Sequence, residues 1–68
     1  MLTEEQVTEK ANLIFLIDYS KRRYFKVLDY RDNPLAPEKI AYKLHFTDVF
    51  GKRKKVIYYP NTAGFQSL

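Results

Sequence analysis

The sequence predicts an α+β domain: one N-terminal helix packed on a three-stranded antiparallel sheet, in the order α-β-β-β. Three observations predict it. A helix-capping signature at Thr3 to Gln6 precedes an apolar stripe at helical spacing. Residues 40–47 alternate apolar and polar with a period of two. A tight-turn signal at Asp48 to Gly51 then joins that run to a second one. On this reading residues 1–60 form one small domain and residues 61–68 a C-terminal tail.

The helix starts at Thr3-Glu4-Glu5-Gln6. Thr3 can accept a bond from the Gln6 amide while Gln6 reaches back to the Thr3 amide. Glu4 and Glu5 then occupy the first turn, where the helix dipole favours negative charge. Val7, Ala11 and Ile14 make one apolar stripe. Leu13 to Ile17 is apolar all round, so either the helix end is buried on two sides or the chain changes to a strand there. The expected helix runs to about residue 18.

Tyr19 to Arg23 is polar and basic and reads as a connection. Tyr24 to Tyr30 is rich in aromatic and β-branched residues and reads as a strand, with Phe25 and Val27 on one face and Tyr24, Lys26, Leu28 and Tyr30 on the other. No Gly or Pro forbids the competing reading, a helix continuing through Leu28. Arg31 to Pro37 holds two prolines and an Asn-Pro step and reads as a loop. Ile40, Tyr42, Leu44 and Phe46 alternate with Ala41, Lys43, His45 and Thr47. This is a strand with one apolar face. At the turn, Asp48 can bond the amide two residues on, and Gly51 can take the positive φ of a type I turn with a bulge. Lys55 to Tyr59 returns as the partner strand until Pro60 stops it.

Composition sets limits on function. The chain has 68 residues, so it makes at most one domain and buries only ~60% of its unfolded surface. It has no cysteine, hence neither disulfide nor thiolate metal site. Six tyrosines and five phenylalanines provide the packing material instead. No run is long enough to span a bilayer, and an acidic segment precedes the first apolar one, the wrong order for a secretory signal. A cytoplasmic protein with no membrane partner is expected. Surplus apolar surface at Leu13 to Ile17 and the absence of staples predict a homodimer or larger assembly.

Charge is polarised along the chain. Residues 1–18 carry a net of −3, and the remainder carries +7 toward the overall +4. The densest feature is Lys52-Arg53-Lys54-Lys55, directly after the turn. Lysines on a strand edge ordinarily guard against aggregation. Here they cluster at a turn, where a hairpin can project them toward phosphates. Lys21-Arg22-Arg23 forms a second cluster before the first strand, and Lys43 adds a cation on the polar side of residues 40–47.

The predicted outer sheet face mixes these cations with rings. Tyr24, Lys26, Tyr30, Lys43 and His45 would look away from the helix, beside either Ile57 and Tyr59 or Val56 and Tyr58. Such a face can stack bases while neutralising phosphates. It can equally be an ordinary half-exposed sheet or a dimer contact. Phe50 at the turn is a candidate wedge, although such rings more often fold back on their own strands.

No catalytic chemistry is expected. Ser20 and Ser67 lack a base and an orienting partner, Asp29 and Asp32 read as solvated, and His45 beside Lys43 reads as a surface histidine. Gly51 and Gly64 are the only glycines, too few for a phosphate loop. No enzyme activity, cofactor or metal is expected. The expectation is a small basic nucleic-acid-binding protein. Lys21, Arg22, Arg23, Lys43, Lys52, Arg53, Lys54 and Lys55 would touch phosphate; Tyr24, Tyr58, Tyr59 or Phe50 would stack or wedge. The alternative is a protein-interaction module binding an acidic protein surface through its sheet face, edge or hairpin tip.

Overall fold

The computed structural model describes residues 1–29, 40–60 and 62–68. The expected loop at 31–37 and the expected strand end at Tyr30 lie outside the described residues. One helix, α1 (Glu4–Phe15), is followed by four strands: β1 (Tyr24–Asp29), β2 (Ile40–Thr47), β3 (Arg53–Tyr59) and β4 (Gly64–Ser67). They form one antiparallel sheet in the order β1-β2-β3-β4, and the fold class is α+β. The sheet therefore has four strands rather than three, and part of the expected tail is the fourth.

Helix α1 begins as its sequence dictates. Thr3 Oγ1 accepts from the Gln6 amide at 3.2 Å, and Gln6 Oε1 accepts from the Thr3 amide at 2.9 Å. It ends earlier than expected. Asn12 accepts twice there: its carbonyl takes the Leu16 N–H at 3.2 Å and its Oδ1 the Ile17 N–H at 2.8 Å. Leu16 turns into the left-handed region at φ 56°, a conformation that costs a side chain with a Cβ roughly 1–2 kcal/mol. Ile17 then bridges to Asp48, and the Val49 N–H donates to the Leu16 carbonyl at 2.9 Å. The helix end is thus tied to the hairpin turn.

This early stop changes which residues are inside. Val7, Thr8 and Ala11 are buried on α1, with Phe15 packed beside them, but Ile14 is 61% exposed. The stripe is 7/8, 11 and 15, not 7, 11 and 14. Leu13 also faces solvent, while Ile17 is buried. The apolar run is therefore neither a doubly buried helix nor a strand. It is a helix end with one exposed side, followed by a bridge residue that turns inward.

The sheet register makes the core. Phe25, Leu44 and Val56 lie side by side across β1, β2 and β3, as do Tyr42 and Tyr58 one tier away, where Val27 on the edge strand stays exposed. Opposite residues share a face, so these tiers look toward α1. The rings of Phe25, Tyr42, Tyr58, Phe65, Phe15 and Phe46 form a continuous chain, each centroid within 6.5 Å of the next. Each buried ring removes ~150–250 Å² from water, which lets so short a chain hold a core without disulfides.

Strand β4 exists because β3 leaves a ladder edge open. Phe65 lies opposite Tyr58, with ring centroids 4.8 Å apart, and also meets Phe15 edge-on at 5.7 Å. The turn before it is closed by bonds from the Thr62 amide to the Tyr59 carbonyl and from the Ala63 amide to the Pro60 carbonyl, each 3.2 Å. Tyr58 is 5% exposed and belongs to this core. It is not available as a stacking residue, contrary to the expectation from sequence.

Candidate functional site

Parity decides what the outer sheet face presents. Residues opposite the core tiers are Tyr24, Lys26 and Leu28 on β1, Ala41, Lys43, His45 and Thr47 on β2, and Arg53, Lys55, Ile57 and Tyr59 on β3. No Asp or Glu stands on the outer rows of the described strands. The choice left open by the sequence, between Ile57 with Tyr59 and Val56 with Tyr58, goes to the first pair.

The face is arranged in tiers. Thr47 and Arg53 make one; Tyr24, His45 and Lys55 make the next; Lys26, Lys43 and Ile57 the third. Lys26 stands directly across from Lys43. Like charges in that position repel and cost stability. Tyr24 packs on His45 with ring centroids 5.1 Å apart and planes at 46°. His45 is held below the usual histidine pKa, first by partial burial and then by Lys55, Lys43 and Arg53 around it. It is a neutral ring in a field of cations.

Arg53 joins the two basic clusters. Its Nη1 donates to the Arg22 carbonyl at 2.7 Å, across 31 residues of sequence, and reaches Thr47 Oγ1 at 3.4 Å. Lys21 and Arg22, both exposed, are thereby placed at the margin of the outer face. The connection is itself anchored: the Asp18 amide donates to the Thr47 carbonyl at 2.9 Å, and Ser20 bonds Asp18 Oδ1 from its amide and its hydroxyl. Those two bonds hold the Asp18 carboxyl below its ordinary pKa.

Two expected phosphate contacts face the other way. Lys54 lies opposite Phe46, on the core side, with Nζ 3.9 Å from Asp48 Oδ2 and 5.5 Å from the Phe15 ring centroid. Arg23 sits 4.0 Å from Glu4 Oε2 and 5.2 Å from the centre of the Tyr19 ring. Both are engaged within the fold, so the basic run is not a single cationic edge. Lys26, which stands outside both charge runs, belongs to the outer face, where the strand parity of the sequence places it.

The hairpin tip is set by Asp48. This buried carboxylate accepts the Phe50 and Lys52 amides on Oδ1, each at 2.9 Å. Gly51 takes φ 82°, as the turn requires, and its amide donates to the Asp48 carbonyl at 3.0 Å. Phe50 does not fold back on its strands; it is 81% exposed. With Val49 and Leu16, which are joined by a backbone hydrogen bond, it makes an exposed apolar group next to exposed Lys52.

Compared with known proteins, the chain matches no family model, no curated protein and no solved structure. Among the described residues, no helix is long and apolar enough to cross a membrane.

Proposed function

We propose that the protein binds nucleic acid on the outer face of its sheet, as an accessory or regulatory factor of the cytoplasm without catalytic chemistry of its own. One observation carries the reading. Lys26, Lys43, Arg53 and Lys55 share a face with no carboxylate on its rows among the described strands, and Lys26 and Lys43 are set against each other. That arrangement costs folding stability and is relieved by a polyanion. Edge protection does not account for it, because Lys43 is on an interior strand and Lys26 alone lies on an edge. Lys21, Arg22 and Lys52 extend the positive surface at its margin.

The test is binding of labelled oligonucleotides, followed by fluorescence anisotropy at several salt concentrations. The Lys43→Ala/Lys55→Ala double variant should bind every sequence more weakly by about the same factor, since phosphate contacts carry no base information. Its log–log salt slope should fall by roughly 0.7–0.9 for each phosphate that it no longer neutralises. The same variant should be no less stable than the parent, because one of the removed charges repels Lys26. Absence of salt-sensitive binding by the parent protein at low ionic strength would sink the proposal.

A second reading has its own observation. The exposed apolar group of Leu16, Val49 and Phe50 favours contact with a protein, including a second copy of the chain. Sedimentation velocity should then show concentration-dependent association that Phe50→Ser removes. A stable monomer over a wide concentration range discards self-association.

A further inference from the structure

We infer that the ligand of this face is a single strand, its phosphates following one diagonal line of cations and its bases lying against the Tyr24–His45 ring pair. The inference rests on the nucleic-acid reading above and specifies the substrate class.

The line follows from the register. Arg53 and Lys55 are two residues apart on β3, so they project from the same face roughly 6.6–6.8 Å apart. Lys43 is diagonal to Lys55, because His45 is the residue directly across from it. Lys26 continues the line to β1, across one strand spacing of about 4.7–4.9 Å. The path Arg53–Lys55–Lys43–Lys26 therefore crosses three strands as a single track. Arg22, tied to Arg53 through its carbonyl, stands at one end.

The two sides of the track differ. On one side lies the Tyr24–His45 pair, in ring contact, with Tyr24 half exposed. On the other lies Ile57, itself buried, with buried Ala41 and half-buried Tyr59 beyond it. A backbone on the track thus has the exposed Tyr24 ring on one flank, and on the other two buried apolar residues and the half-buried Tyr59. This suits a strand whose bases are splayed to one side. The neutral state of His45, which partial burial and then Lys55, Lys43 and Arg53 favour, leaves it a stacking ring rather than a fifth phosphate contact.

A duplex fits less well. It presents two phosphate ridges separated by a groove ~12 Å or ~6 Å wide, and is read by an element that enters the groove. The face offers one track. Beside it projects the hairpin tip, whose apex is Val49 and Phe50, and Lys54 on that hairpin is turned to the core.

Three probes with equal numbers of phosphates separate the possibilities: a single-stranded oligonucleotide, the same backbone with abasic sites, and a duplex. The single strand should bind roughly 5- to 150-fold more tightly than its abasic counterpart, the range expected of one stacked base. Tyr24→Ala should remove most of that ratio while leaving abasic affinity and the salt slope unchanged. Tyr24→Phe should keep it. The ring protons of His45, the single histidine of the chain, should shift with the single strand more than with the abasic probe. Equal affinity for the single strand and the abasic backbone would overturn the inference and leave a phosphate-binding face. Tighter binding of the duplex would overturn it and leave the nucleic-acid reading standing. No salt-sensitive binding to any probe would overturn both.

Discussion

Leu44→Ala should leave the protein unfolded, or folded only at low temperature. Leu44 is wholly inaccessible to solvent, on an interior strand, between Phe25 on β1 and Val56 on β3. It belongs to the same buried cluster as Val7 and Ala11 of α1. Truncating such a leucine costs about 2–5 kcal/mol. A core of this size rarely supplies more than ~3–5 kcal/mol in total. The loss and the reserve are of the same order, so the outcome is global unfolding rather than a local cavity. Circular dichroism melts will show it. His45→Ala, one residue on, should shift the melt little, because that side chain stands on the outer face. The reverse pattern, a tolerant Leu44 and an intolerant His45, would mean that the register is displaced by one residue.

Asp48→Ala should be the second most damaging change, and it reaches the site. The Asp48 side chain accepts two turn amides and lies 3.9 Å from the Lys54 amine. Hydrogen bonds to an ionised group are each worth about 1.5–3 kcal/mol, but the freed turn amides regain some bonding from water. We expect a loss of about 2–4 kcal/mol in urea denaturation, and roughly half of it for Asp48→Asn, which keeps the acceptor but not the charge. The turn also holds the helix end, through Ile17 and Val49. In a partly folded Asp48 variant, amide exchange should therefore quicken at residues 49–53 and 16–17 together. Quickening confined to the hairpin would show that the helix cap stands without the turn.

Local chemistry was legible wherever a few consecutive residues were enough to decide a conformation. Thr3 and Gln6 form their reciprocal cap, β2 alternates as expected, and Asp48 and Gly51 build the expected turn. Each of these depends on atoms within a few residues of one another. The inward set of Tyr42, Leu44 and Phe46 follows from the period of two alone. The strand at 24–29, for which a helix was the competing reading, is decided by pairing with β2, a contact that no local propensity contains.

What the tertiary structure alone decided has one physical root: burial and pairing depend on partners distant in sequence. Asn12 and the bridge to Asp48 end α1 at Phe15, so Ile14 is exposed although its spacing marks it as core. Phe65 turns residues 64–67 into a strand because Tyr58 and Phe15 leave it an aromatic seat beside an open ladder edge. The four consecutive cations look equivalent in sequence, yet register parity sends Lys54 to Asp48 and Phe15 and leaves Arg53 and Lys55 on the outer face. The amino-acid order by itself determined a basic α+β chain with a tight cationic hairpin. Which of its charges and rings share a surface was settled by the pairing of β1, β2 and β3, since a strand's side chains alternate while its neighbours choose the face that is buried.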